Sequence, residues 1–250
     1  MLTFGSLFSG IGGLDLGLER AGMKCLWQVE NEPYCNQVLA HHWPDVKRYG
    51  DICNVYTQDL EPVDVIAGGF PCQDISSAGK KAGLDGARSG LWSQFTRIID
   101  GLQPRWIIVE NVSAILGRGL GSVLRDLAAL GFDAEWDVLP AGAFGVEHIR
   151  ERVFVVAYPN GVGRAELLHG FTPTLATTLP RRKRQLASSD SHTALVEAVE
   201  QRCSESSLCR STHGIPKIVD RLRGLGNAVV PQVAEFIGRA VVEAHKERAA

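Results

Sequence analysis

Up to about residue 158, apolar residues follow two alternating rhythms. The short apolar runs "LTFGSLF", "CLWQVE", "VDVIAGG", "RWIIVENV" and "RVFVVAY" read as strands. Between them, "GGLDLGLERAG" carries Leu14, Leu16 and Leu18 and stops at Gly22, "PYCNQVLAHHW" follows the second run, and "LGSVLRDLAALG" is ended by Gly131; all three read as helices. Strands alternating with helices predict βαβ units, an α/β domain whose mostly parallel sheet has helices on both faces. From about Pro159 to Ile215 the rhythm is lost to Gly, Thr, Ser, Pro and charge, with a basic run at Arg181–Arg184 and one weak helix, "HTALVEAVEQRC". Patterning returns in "VDRLRGLGNAVVPQVAEFIGRAVVEAHK", where Val233, Phe236, Ile237 and Val241 mark one face of a C-terminal helix. The middle segment reads as a small irregular lobe or a long loop, and long loops in compact proteins are functional or disordered.

Composition narrows the class without naming the chemistry. With 250 residues, 45% of them hydrophobic, the chain is long enough to bury roughly 70% of its unfolded surface, so one main domain with a small second lobe is expected. A net charge of −2 announces neither nucleic acid nor membrane globally; any such surface is a local patch. Cys25, Cys35, Cys53, Cys72, Cys203 and Cys209 form no CxxC pair and no disulfide scaffold. The start "MLTFGSLFSGIGG" has no basic segment and no long apolar core, which reads as mature sequence in a cytoplasmic, reducing setting. No apolar run approaches the length that spans a bilayer.

Candidate chemistry collects where strands end. "FSGIGG" (Phe8 to Gly13) lies between the first strand and the first helix, and glycines there let backbone approach a ligand at the positive end of a helix. Glu30 ends the second run, a position from which a carboxylate accepts hydrogen bonds from a ribose diol; the glycine spacing is not that of dinucleotide enzymes, and a plain tight turn is the competing reading. "GGFPCQDIS" brings Cys72 to the sheet edge behind Pro71. Alone, Cys72 reads either as a small buried hydrophobe or as a nucleophile, and the second needs a cation or helix N-terminus nearby. The segment "SSAGKKAGLDGARSGLW" is cationic and poor in core residues, either a solvated loop or a lid over a phosphate-bearing substrate. Glu110 ends "WIIVE", and Arg150 and Arg152 stand two apart at a strand start, hence on one face.

In this order the motifs resemble those of the DNA (cytosine-5) methyltransferases. The matching residues are the Phe-x-Gly-x-Gly-Gly block Phe8–Gly13, Glu30, "GDI" (Gly50–Ile52), "GGFPCQDIS", "ENV" (Glu110–Val112), "FGVEHIRERVFVVA" and "LGNAVVPQVAEFIGRAV". The resemblance covers about 1–158 and 218–243 and is closest to compact prophage-type members. It implies a Rossmann-like methyltransferase fold, with a catalytic domain over 1–158 and 218–250 and an abbreviated target-recognition segment over 159–217. It implies S-adenosyl-L-methionine as cofactor, held by Phe8, Gly10, Ile11, Gly12, Gly13, Glu30, Asn31, Asp51, Ile52, Pro71, Leu91 and Asn227. Cys72 would add to C6 of a flipped-out cytosine, Glu110 would hold N3 and the exocyclic amine, and Arg152, supported by Arg150, would contact the O2 edge. Gln73, Ser76, Lys80 and Arg88 would face duplex DNA. No metal, membrane or obligate protein partner is implied.

The chain departs from the family's pattern in three places. Asn31 stands where many members have an aromatic residue, Glu147–His148 where Pro–Gln is frequent, and only about 60 residues separate the arginine motif from "GNAVVP", where the family keeps its sequence-reading domain. Three rival readings remain beside the DNA enzyme: the RNA-directed branch of the same fold, a non-catalytic DNA-binding remnant, and a nicotinamide-binding oxidoreductase. The recognised DNA site, and whether the host role is in a restriction-modification system, are not legible.

Overall fold

The computed structural model describes residues 1–71, 90–146, 150–161 and 224–249. Among these residues seven strands form one sheet: β1 (Thr3–Leu7), β2 (Lys24–Val29), β3 (Lys47–Tyr49), β4 (Val65–Gly68), β5 (Trp106–Val112), β6 (Phe132–Pro140) and β7 (Glu151–Pro159). Their spatial order is β3-β2-β1-β4-β5-β7-β6. The pairs from β3 to β5 are parallel, whereas β7 is antiparallel to both β5 and β6. The expected α/β architecture is therefore present, with an antiparallel hairpin closing one side. From β1 the chain adds β2 and β3 toward one edge, and from β4 it adds β5 toward the other, so the strand order switches between β1 and β4. Ligands collect at the carboxyl ends of strands at such a switch point.

The helices are α1 (Gly13–Arg20), α2 (Pro33–His42), α3 (Gly90–Leu102), the short α4 (Ile115–Arg118), α5 (Leu120–Ala129) and α6 (Pro231–Ala249). Strand alternation sends side chains to two cores. On one face Leu7, Val29, Ile66, Ile107 and Val155 pack with Trp92, Phe95, Ile98 and Ile99 of α3 and Val123 and Leu127 of α5. On the other, Phe4, Val65, Ile108, Phe154 and Val156 pack with Leu14 and Leu18 of α1 and Val233, Ile237 and Val241 of α6. The C-terminal helix thus returns to the first helix, and small residues set how closely they cross. A Cβ on Gly17 would stand 2.4 Å from Ala234 Cβ and 2.5 Å from the Pro231 carbonyl oxygen.

Two differences from the sequence reading have simple causes. "GLW" at the end of the cationic loop belongs instead to α3, because Trp92, Phe95, Ile98 and Ile99 continue one buried helical face beyond it. Strand β6, "FDAEWDVLP", was not expected: as an edge strand it alternates Asp133, the half-exposed Trp136 and Asp137 with few buried apolar positions, so its apolar signal is weak. The weak helix and the Arg181–Arg184 run lie outside the described residues, as does nearly all of 159–217. No described helix is long and apolar enough to cross a membrane.

Candidate active site

The first and second strands deliver a carboxylate-and-loop arrangement at their carboxyl ends. Directly after β1, Phe8 adopts φ 54°, a left-handed backbone that a bulky residue takes only when its surroundings demand it. Its ring stays half-exposed and stacks on Phe95, 6.3 Å between centroids. Gly10, also left-handed at φ 56°, has open space where a Cβ would be. Its N–H donates to Glu30 Oε2 at 2.7 Å, and the Glu32 N–H donates to Glu30 Oε1 at 2.8 Å. Two backbone donors therefore fix the Glu30 carboxylate beside the open rim of the loop. Remaining lone pairs on a fixed, half-exposed carboxylate suit the hydroxyls of a ribose. The other two loop glycines face packed neighbours: a Cβ on Gly12 would meet the Trp43 ring at 2.4 Å, and one on Gly13 the Val229 carbonyl oxygen at 2.2 Å. They serve close packing, and Ile11 lies half-buried beside them.

Asp51 is exposed and caps the next turn, with Oδ1 accepting from the Cys53 N–H at 2.9 Å. Arg97 of α3 holds that turn from below, donating to the carbonyls of Ile52 and Val55 at 3.1 and 2.8 Å. Ile52 itself is 3% exposed, so it offers a ligand only an edge. Asn31 is exposed, Leu91 half-buried, and Asn227 exposed in a helical turn at 224–227. Gly10 and Glu30 are thus joined at the open rim of the loop beside Phe8, an arrangement whose donor set suits a ribose diol such as S-adenosyl-L-methionine carries.

A second constellation lies where β4 and β5 end and β7 begins. Glu110 is 7% exposed, and burial pushes its carboxyl up to about 7 while Arg152 and Arg150 pull it down. Arg152 Nε stands 2.9 Å from Glu110 Oε1. This is a close ion pair, and Oε1 has no other partner among the described residues. Arg152 also donates from Nη1 to the Glu151 carbonyl at 2.8 Å. Arg150 Nε and Nη2 are buried without a hydrogen-bond partner among the described residues. Burial and the neighbouring Arg152 push its guanidinium downward, and Glu110 opposes this. Both arginines line one small cavity with Phe154, Val229 and Val230, so they share a face as the i, i+2 spacing predicts.

The backbone leading to the cysteine motif is held against this pair. A Cβ on Gly69 would come within 2.4 Å of Glu110 Oε2, so glycine lets the chain pass close to that carboxylate without displacing it. One residue on, the Phe70 carbonyl accepts from Asn111 Nδ2 at 3.0 Å. Pro71 is exposed, and the described chain stops there. Cys72, Gln73, Ser76, Lys80 and Arg88 lie outside the described residues, as do Glu147 and His148.

Sequence reasoning missed a buried polar cluster beneath the loop. Asp15 of α1 is fully buried and accepts from Ser6 Oγ at 3.0 Å and from Gln28 Nε2 at 2.9 Å, and Ser9 Oγ donates to Ser6 Oγ at 2.9 Å. Burial lifts the Asp15 carboxyl to about 6, against the pull of these hydrogen bonds. The signal was present: one polar residue interrupts each of three successive apolar patterns, "FGSL", "LDL" and "WQV". Asn111 and Arg97 were likewise missed as holders of backbone.

Known proteins bear on this geometry. The family model of the C-5 cytosine-specific DNA methylases matches residues 2–213, and the chain belongs to that family. Among curated relatives, it is 31% identical to the type II methyltransferase M.BsuFI of Bacillus subtilis, over 88% of this chain and 53% of that protein. It is 38% identical to M2.BsuMI of Bacillus subtilis strain 168, over 61% of this chain and 41% of that one. A solved structure described as a DNA modification methyltransferase encoded within an E. coli prophage superposes with TM-score 0.55 at 27% identity, covering 65% of this chain and 48% of that one. The chain spans about half the length of these relatives.

Proposed function

We propose that this protein is a DNA cytosine-5 methyltransferase that uses S-adenosyl-L-methionine and a covalent Cys72 intermediate. The observation that carries the reading is the Glu110–Arg152 pair at the end of β5, with Gly69 packed against Glu110 and the Phe70 carbonyl held by neighbouring Asn111, just before Pro71–Cys72. The family supports it, since the family is named for cytosine-specific DNA methylation.

Each residue then has a chemical task. Phe8, Gly10, Glu30 and Asp51 hold the cofactor, which when bound supplies an electrophilic methyl group on a sulfonium. The Cys72 thiolate adds to C6 of a cytosine rotated out of the duplex, since neither ring face is reachable inside the stack. A carboxyl titrating near 7 is about half protonated at neutral pH, so Glu110 donates its proton to N3 while its other oxygen accepts from the exocyclic amine. Negative charge that addition would leave on the ring is thereby neutralised, and C5 becomes nucleophilic and is methylated. Water takes the C5 proton, the thiolate is expelled and N3 returns its proton to Glu110, which restores the aromatic ring and releases neutral 5-methylcytosine. Arg152 keeps Glu110 oriented and presents a donor to the O2 edge, with Arg150 beside it. Lys80 and Arg88 contact phosphates, the duplex DNA is the macromolecular partner, and the reaction takes place in the cytoplasm.

The test is transfer of labelled methyl from S-adenosyl-L-methionine to duplex DNA and to tRNA, assayed in parallel. Label in DNA as 5-methylcytosine is expected; label in tRNA alone overturns the proposal in favour of the RNA-directed branch.

A further inference from the structure

Buried carboxylates are rare unless something is gained from them, because burial disfavours the charge and each lone pair must be satisfied. Asp15 is 0% exposed on the core-facing side of α1, where leucines flank it. Its two oxygens do not serve one partner. Oδ2 accepts from Ser6 of β1 and Oδ1 from Gln28 of β2, and Ser6 and Gln28 are directly paired across the two strands. One carboxylate therefore bridges a single cross-strand pair.

The position of that pair gives the bridge a purpose. Register between β1 and β2 shifts immediately upstream, from Phe4↔Cys25 to Gly5↔Trp27. One extra residue in β2 lets Leu26 and Trp27 both pack toward the same core, as a bulge requires. A slip of one residue here would turn every following side chain to the opposite face. Downstream only Leu7↔Val29 remains before the strands end and Phe8 and Glu30 emerge. Trp27, lying over Gly5, marks the shifted register on one face; Asp15 marks it on the other. Through Ser6 the bridge also reaches Ser9 of the loop, whose N–H is tied to the Val29 carbonyl at 3.2 Å.

We infer that Asp15 is a positioning residue for cofactor binding: by clamping Ser6 to Gln28 it fixes the register in which Gly10 and Glu30 meet. The consequence for affinity rests on the function proposed above; the consequence for the loop does not. Hydrogen exchange at the Gly10 and Glu32 amides, which Glu30 caps, reads positioning directly in the full-length protein without cofactor. Calorimetry with S-adenosyl-L-methionine and steady-state methyl transfer read its effect.

Asp15→Ala should speed exchange at both amides and weaken cofactor binding about tenfold, the scale of one buried hydrogen bond lost. KM for the cofactor should rise in step while kcat at saturating cofactor stays within about twofold. Asp15→Asn, which keeps the size and one acceptor oxygen, should recover most of both. Leu18→Ala, also buried in α1, provides the stability control and should lower Tm without changing exchange at Gly10. Unchanged exchange at Gly10 and Glu32 in Asp15→Ala, or equal loss in Leu18→Ala, overturns the inference. Wild-type protein that binds no S-adenosyl-L-methionine while Asp15→Ala still loosens Gly10 and Glu32 supports the positioning role and overturns the proposed function instead.

Discussion

At the scale of single residues, Glu110 gives the sharpest handle because its environment and its task pull in the same direction. Its carboxyl is raised from 4.5 to about 7, chiefly by burial, so the protonated form that donates to N3 is abundant at neutral pH and vanishes above it. Methyl transfer should accordingly fall as pH rises through about 7, unless thiolate formation at Cys72 compensates, which would give a bell-shaped profile. Glu110→Gln should remove that alkaline limb and lower kcat by about 10²–10³-fold, with cofactor affinity unchanged, as pH–rate profiles and calorimetry will show. Most of these residues were legible as chemistry in the sequence, because Glu110, Arg150, Arg152 and Glu30 each close or open an apolar run. Asp15, Gln28 and Arg97 were not, because their work is done on backbone and on one another across elements that only the fold brings together.

At the scale of elements, parallel strands β1, β4 and β5 were readable because strands buried on both faces are nearly continuous apolar runs. Edge strand β6 was not, since it needs apolar residues on fewer positions and exposes Trp136. Helix α3 was partly masked by the glycine- and lysine-rich stretch before it. The crossing of α1 and α6 depends on Gly17, where a Cβ would meet Ala234 and the Pro231 carbonyl oxygen at 2.4 and 2.5 Å. Backbone cannot give way as a side-chain tip can, so Gly17→Ala should destabilise by about 1–3 kcal/mol, measured by urea denaturation. Because Val229 and Val230 sit between that crossing and Arg150, the same variant should also lower methyl transfer beyond its effect on the folded fraction.

At the scale of the whole molecule, two buried carboxyls with raised values tie stability to pH. Glu110 moves from 4.5 to about 7 and Asp15 from 3.8 to about 6. A group raised in the folded state contributes stability that is complete below its unfolded value and is lost as pH rises through its folded value. Between pH 5 and 8 Glu110 should therefore take away about 2–3 kcal/mol and Asp15 about 1–1.5 kcal/mol. Glu110→Gln should flatten that loss by about its own share, a difference visible in denaturation series at the two pH values. The proposed DNA binding calls on a run that lies outside the described residues. Neutralising Arg181–Arg184 should weaken it and reduce the slope of log K against log salt by roughly 0.9 for each phosphate contact removed; an unchanged slope would show that the run is merely solvated. The central claim is that Cys72 attacks a cytosine of duplex DNA. It is tested most directly by a duplex in which every cytosine carries fluorine at C5, because fluorine cannot leave as a cation and the methylated adduct cannot collapse. Wild-type protein with S-adenosyl-L-methionine should give a denaturation-resistant protein–DNA complex whose cross-link maps to Cys72, and Cys72→Ser should give none. A cross-link at another residue, or 5-methylcytosine made in ordinary DNA by Cys72→Ser, would contradict the account.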